Sequence, residues 1–357
     1  MDMLELIREN TVRVTAPGLV TQPLVSVCVM TYNHSAFIRE AIDGILAQRT
    51  SFPFEILIGD DCSTDGTTEI ALEYQNAYPQ KFSVLRSRRN LYQIVGTARC
   101  TTLKVLMAAR GKYIAMLEGD DYWTDPAKLQ KQVNFLRCHP ECSGCFHDTG
   151  VRQHGTLVDF HFPVHEIGTL LGISDIITPA PIAFHTSSFL FRHDALPADL
   201  RIMHGVSFGD RVLFALVASS GKLGHVPGSM SVYRRNSGGL TVVNRIEFAD
   251  GWRLWSSYIV MFRRFGHGFG EEARMASEAT CCWFWGRLIR KVSVTSSVRY
   301  RLGYVWALFR RGHLFCWSEL FSRWLVLLAT VFFPALGASV SQHLAEFYDV
   351  QARREER

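Results

Sequence analysis

The stretch YIAMLEGDDYWTDPAKL, residues 113–129, decides the fold. An apolar run of strand length ends at Glu118 and opens into Gly119, Asp120 and Asp121. Asp125-Pro126 then supplies an N-cap and a first-turn proline for a helix reaching Leu136. Working outward, residues 24–30, 54–58 and 82–85 are further short apolar runs. Residues 69–78 and 97–110 read as helices, and Ser35 as the cap of another whose apolar positions are Phe37, Ala41, Ile42, Ile45 and Leu46. Strand–helix alternation at this spacing implies a mostly parallel α/β sheet flanked by helices.

In such sheets the ligand site forms at the carboxyl ends of the strands. The polar clusters lie there: 31–34 after the first strand, Asp60-Asp61 after the second, and 118–121 after the fourth. One acidic pair alone reads as a helix cap or a solvated loop. Two on one rim repel unless a cation lies between them, and Mg²⁺ or Mn²⁺ suits carboxylate oxygen. Glu118 and Asp120, spaced i, i+2, read as the pair that shares it. Residues 61–66 resemble the start of a calcium loop, but Leu72 stands where its final Glu belongs.

Residues 23–34, 54–67 and 111–129, continued by 185–192 and 209–239, together resemble family 2 glycosyltransferases of the GT-A fold, over about 21–240. The resemblance implies an inverting, nucleotide-sugar-dependent transferase of the bacterial envelope-polysaccharide type. Thr31, Tyr32, Asn33, Asp60 or Asp61, and Asp121 would hold the nucleotide sugar. Asp120, with Glu118, would bind Mn²⁺ or Mg²⁺, and Asp210 matches the general base. Two departures stand out: Glu118 where relatives often have Asp, and Asn236 where they often have His. Trp123 offers a flat face for an acceptor sugar, with core packing as its other reading. His185 is a second acceptor contact or a structural hydrogen bond. The chemistry is coherent by itself: the leaving diphosphate needs charge neutralisation, and the acceptor hydroxyl needs a carboxylate base.

Composition bounds the rest. Hydrophobic residues make up 48% and charged residues 20% of 357, which excludes a disordered chain. Nine Cys, an odd number, argue against a disulfide framework. The start of the sequence shows no signal-peptide pattern. Cys138, Cys142, Cys145 and His147 are spaced too tightly for a usual zinc knuckle. Residues 1–249 carry 23 Lys and Arg against 24 Asp and Glu, whereas 250–357 carry 15 against 9 and seven of the eight Trp. Region 246–357 therefore reads as helical and membrane-associating. Its uncharged run 324–340 is interrupted by Pro334 and is short for a span. A nucleic-acid partner is not expected.

The expected organisation is a lead-in over 1–20, a GT-A domain over 21–245 and the helical region over 246–357. The expected partners are a nucleoside-diphosphate sugar (UDP first), a saccharide or lipid-linked acceptor and the cytoplasmic face of the membrane. With Leu320 where the Q-x-x-R-W motif of processive synthases needs Gln, transfer of one sugar is expected. A sugar-nucleotide nucleotidyltransferase and a non-catalytic nucleotide- or glycan-binding module are the alternatives. The first would carry a Gly-rich basic loop where 31–34 stand.

Overall fold

The structure, a computed structural model, describes residues 2–15, 22–95, 99–153, 155–158, 162, 165–178, 182–203, 209–235, 269–278 and 280–281. The chain divides into two compact units. One is Met1–Ile176 with Ala180–Gly239; the other is Ile177–Pro179 with Leu240–Arg357.

In the first unit the chain opens with α1 (Met3–Asn10) and β1 (Thr11–Thr15). There follow β2 (Val25–Thr31), α2 (Ile38–Leu46), β3 (Phe54–Asp60), α3 (Thr67–Ala77), β4 (Phe82–Ser87), α4 (Leu91–Val95), α5 (Arg99–Ala108) and β5 (Tyr113–Glu118). Next come β6 (Tyr122–Trp123), α6 (Lys128–Cys138), β7 (Cys142–Gln153), β8 (Thr156–Val158), β9 (Leu170–Leu171), α7 (Ile173–Ile176), β10 (Leu190–Arg192), α8 (Gly209–Ala218) and β11 (Lys222–Arg235). The strands form one mixed sheet in the order β1-β4-β3-β2-β5-β10-β7-β11-β6, with β8 on β7 and β9 on β11.

Its centre, β4-β3-β2-β5, is parallel. Every residue of β3 is buried, as expected of a parallel strand covered on both faces. The core packs Val27, Val29, Ile56 and Ile58 of the sheet against Ala41, Ile42 and Ile45 of α2. β1, β6 and β10 pair antiparallel with their neighbours, so the sheet is less uniformly parallel than the sequence alone implies. Both predicted helix starts shift. α2 begins at Ile38, and the Ser35 backbone N–H instead donates to Asp65 at 2.9 Å. α6 begins at Lys128, but Asp125 does the capping work: its Oδ1 accepts from Ala127 N at 2.7 Å.

Gly44 explains how α2 fits. A Cβ there would stand 2.7 Å from the Trp123 carbonyl oxygen, so only glycine lets the helix rest on the backbone of β6. Of the zinc-like cluster, Cys142 and Cys145 belong to the core, Cys138 is exposed, and His147 Nδ1 bonds the Asp148 carbonyl oxygen at 2.7 Å.

In the second unit residues 270–278 are helical, and Arg274 bonds Glu271 at 2.8 Å and Glu278 at 2.7 Å. The membrane-associating reading of 246–357, its run 324–340 and Asn236 fall mostly or wholly outside the described residues. Among the described residues no helix is long and apolar enough to cross a membrane.

Candidate active site

Three strand ends and the start of α8 supply the predicted residues, and the two acidic loops differ in construction. The first follows β3. Asp60 is fully buried; its carboxylate accepts from Ser63 N at 3.1 Å, from Thr68 Oγ1 at 2.8 Å and from Ser63 Oγ. Asp61 accepts from Ser87 Oγ and Leu91 N at 3.0 Å each, and from Tyr92 N at 2.9 Å, so it anchors the start of α4. Beneath both lies Lys104 of α5, 2% exposed, donating to the Asp60 carbonyl oxygen at 2.9 Å and to Ser87 Oγ. Burial lowers the Lys104 pKa, while the nearby charges of Asp61 and Asp60 act to raise it. A carboxylate has about four lone-pair sites. With three protein donors each, Asp60 and Asp61 keep about one acceptor site apiece for a ligand.

The loop after β5 is built the other way. Gly119 N donates to the Met30 carbonyl oxygen at 2.8 Å, and Asp121 N to the Glu118 carbonyl oxygen at 3.0 Å. The second bond closes a turn, which brings residues 118 and 121 together. The sequence pairs Glu118 with Asp120 in a loop leaving a strand. Instead Glu118, Asp121 and His185 offer ligand atoms within 4.8 Å of one another, the one such group among the described residues. His185 Nε2 is 3.8 Å from Glu118 Oε2, and His185 Nδ1 is 3.7 Å from Asp121 Oδ2. Asp121 is fully buried: Oδ1 accepts from Arg234 N at 2.8 Å, whereas Oδ2 has no hydrogen-bond partner. An orphaned buried carboxylate oxygen beside a second carboxylate and an imidazole fits a divalent cation.

The electrostatics agree. Burial first, then the charges of Asp120 and Asp210, push Glu118 up to about 8. Burial, Asp120 and Glu118 also raise Asp121 well above the carboxylate range. Burial lowers His185 to about 3, so its ring is neutral and able to bind a metal. Asp120 contributes charge and a carbonyl oxygen, which accepts from Arg234 Nη1 at 2.6 Å. Arg234 also reaches Glu40 of α2 and lies 4.3 Å from the Tyr122 ring centroid, tying the acid loop to α2 and β11.

The loop after β2 closes the rim. Asn33 adopts the left-handed conformation, φ 54°, and bridges to the Asp60 loop: its Oδ1 accepts from Thr64 N at 2.9 Å. Tyr32 is 38% exposed. Thr31 Oγ1 and His34 Nδ1 are buried without partners, and both lie over Gly119. A Cβ at 119 would come within 2.8 Å of the first and 2.9 Å of the second. Sequence reasoning placed His34 on this rim within 31–34 without giving it a role, and missed Lys104. Asp210 begins α8, half-buried, its Oδ1 accepting from Arg211 N at 2.8 Å.

Trp123 is corrected. It is 4% exposed, its Nε1 donates to the Ser187 carbonyl oxygen at 3.0 Å, and Lys128 Nζ lies 4.0 Å from its ring centroid. A ring enclosed on that scale belongs to the core and offers no open face to a sugar.

Comparison with known proteins fits this geometry. Residues 26–195 match the family described as Glycosyl transferase family 2. An uncharacterized protein of Mycobacterium tuberculosis is 38% identical over 236 residues, 65% of this chain and 64% of its own length. The Escherichia coli UDP-Glc:alpha-D-GlcNAc-diphosphoundecaprenol beta-1,3-glucosyltransferase WfaP is 33% identical over 113 residues, 32% of this chain and 41% of WfaP. The chain therefore spans less than two thirds of the length of these relatives. Residues 1–349 of S. aureus TarS, solved in complex with UDP-GlcNAc, share the fold with a TM-score of 0.58 at 17% identity, over 90% of this chain and 91% of that one. The sheet is that of the GT-A fold, and the stretch 26–195, which carries the strand ends of the rim, is similar to glycosyl transferase family 2.

Proposed function

We propose that this protein is an inverting glycosyltransferase that moves one sugar from a nucleoside-diphosphate sugar to a saccharide or lipid-linked acceptor in envelope-polysaccharide synthesis. The observation that carries the reading is the meeting of orphaned polar atoms with excess negative charge on one rim. Thr31 Oγ1, His34 Nδ1 and Asp121 Oδ2 lack partners, and Glu118 feels the charges of Asp120 and Asp210. Unsatisfied buried groups cost about 1–3 kcal/mol each, which a ligand offering matching atoms would recover.

In this reading Thr31, Tyr32, Asn33 and the Asp60–Asp61 loop hold the nucleoside, and Glu118 and Asp121 turn their oxygens toward the diphosphate. A bound Mn²⁺ or Mg²⁺ would neutralise the diphosphate charge. Asp210 accepts the acceptor hydroxyl's proton as that oxygen attacks the anomeric carbon from the face opposite the leaving group, which inverts the centre. UDP is the first nucleotide to test, in keeping with WfaP and TarS, whose names carry UDP-sugars. Calorimetry should show UDP binding that needs Mn²⁺ or Mg²⁺; equal binding in EDTA would overturn the metal-dependent part. A screen of nucleotide sugars for donor hydrolysis tests the transfer itself.

The same reading assigns the protein to the cytoplasmic face of the membrane, held there by region 246–357. Removing the residues after 320 should release it into the soluble fraction on sedimentation, and unchanged pelleting would exclude that anchor.

A further inference from the structure

His185 caps a short turn, and the cap decides where its proton sits. The residue precedes the 3-10 turn Thr186–Ser188. Its Nδ1 accepts the Ser187 backbone N–H at 3.2 Å and lies 2.9 Å from the Ser187 hydroxyl. A nitrogen that accepts holds a lone pair, so the proton of the neutral ring is on Nε2. Neutrality alone would suit metal binding, but one nitrogen is taken by the cap and the other carries hydrogen. The carboxylates are left to hold the cation.

The Nε2–H has no hydrogen-bond partner among the described residues. Glu118 Oε2 stands 3.8 Å from it, beyond hydrogen-bond range. The ring is held in place. It stacks on Tyr233 with centroids 4.3 Å apart, and Phe162 packs at 5.5 Å. The turn beneath it is braced as well. The Ser187 carbonyl oxygen accepts from Trp123 Nε1 at 3.0 Å, and Ser187 Oγ is 2.9 Å from Ser231 Oγ. The side chain is 12% exposed, so water competes little for the donor. A fixed, poorly hydrated N–H thus points into the hollow that holds Glu118 and the unpartnered Asp121 Oδ2.

Two substrate oxygens could take it. On the attacking hydroxyl, a donor would draw off the lone pair that must form the new bond. On the departing phosphate oxygen, it meets negative charge that grows as the bond to carbon breaks, which is where a preorganised donor accelerates a reaction.

We propose that His185 is a catalytic residue whose Nε2–H donates a hydrogen bond to the terminal phosphate of the nucleoside diphosphate as it leaves. This rests on the glycosyl-transfer reading above. In the step, the bond between the anomeric carbon and the phosphate oxygen breaks, and its electron pair stays on that oxygen. The acceptor oxygen forms the new bond to carbon, and its proton passes to Asp210. The imidazole keeps its own proton throughout.

¹⁵N NMR of the full chain labelled at histidine, with Mg²⁺ present, tests this without turnover. One histidine should show Nε2 protonated and Nδ1 bare, and UDP should shift its Nε2–H proton downfield whereas UMP leaves it in place. That signal should vanish in His185→Gln. A proton on Nδ1 of His185, or bound UDP without the shift, overturns the assignment and leaves the transfer reading standing. In turnover, His185→Leu should lower kcat by about 10²–10³-fold, the usual loss for one such donor. His185→Gln, whose amide can present an N–H near the same place, should recover most of it. By calorimetry His185→Leu should weaken UDP and spare UMP. Equal loss of kcat in both variants, or UDP and UMP weakened alike, would reduce His185 to a turn cap and overturn the proposal. A wild-type protein that binds no UDP overturns both readings. Where a variant fails to fold, the wild-type contrast between UDP and UMP decides.

Discussion

The loops after β3 and β5 each carry adjacent aspartates on the same rim, yet they are opposite devices. Around Asp60 and Asp61 the protein supplies six hydrogen bonds and a buried lysine. Around Glu118 and Asp121 it withholds them: one oxygen is orphaned and both acids are pushed toward their neutral forms. The contrast teaches that counting carboxylates does not find a cation site. What matters is which carboxylates the fold leaves unsatisfied, because satisfied ones are already framework.

Substitutions on the two sides should therefore diverge. The largest effect belongs to the residue whose charge faces the unsatisfied loop: Asp210→Asn should lower turnover by ~10²–10⁴-fold. UDP affinity measured by calorimetry should be unchanged, and retained turnover would move the base elsewhere. Lys104→Met tests the satisfied side. It removes the donor from the Asp60 carbonyl oxygen and Ser87 Oγ and should cost about 1–3 kcal/mol in chemical denaturation, the usual penalty for leaving buried polar groups unpaired. A silent result would erase the contrast. Gly119→Ala drives a methyl group into Thr31 and His34, so about 1–3 kcal/mol should be lost. UDP affinity should suffer more than the denaturation midpoint.

The pH dependence sharpens the comparison at the smallest scale. A carboxyl whose folded pKa is raised stabilises the fold fully below its unfolded pKa and stops doing so as pH rises through the folded value. Glu118, raised from 4.5 to about 8, should make the metal-free protein lose thermal stability between those pH values. Glu118→Gln, or saturating Mn²⁺, should flatten that slope. Asp65 runs the other way. Burial acts to raise it, but hydrogen bonds from Thr67 and Ser35 outweigh this and lower it from 3.8 to about 2. Its contribution is present above pH 3.8 and fades toward pH 2, and Asp65→Ala should cost about 0.5–2 kcal/mol, as for other lost caps.

The parallel centre was legible because strands buried on both faces read as continuous apolar runs, as residues 24–30 and 54–58 do. The antiparallel additions were not. β10 has three residues, and β6 has two. Segments that short carry no periodicity of their own. The acid loop was legible as a polar cluster at a strand end, but its local shape was not: the turn closed by Asp121 N and the Glu118 carbonyl oxygen gathers i and i+3, which spacing alone does not give. Lys104 went unnoticed since lysine is almost never fully buried unless paired, and its partners come from two other strands. Trp123 looked like a surface ring because nothing local reveals Lys128 and Ser187 closing over it.

The joint between Arg234 and Asp121 has a further consequence, one of timing. The acid loop receives its backbone donor from a residue more than a hundred positions later, and β6 gains its strand partner only at Ser231 and Val232. While the polypeptide emerges from the ribosome, β2 to β5 can pair early, but this loop is left without its brace until the last residues of β11 arrive. A nascent chain halted at residue 220 would thus hold its parallel core and still lack a shaped acid loop. The order of synthesis makes the chemistry the last part of this unit to mature.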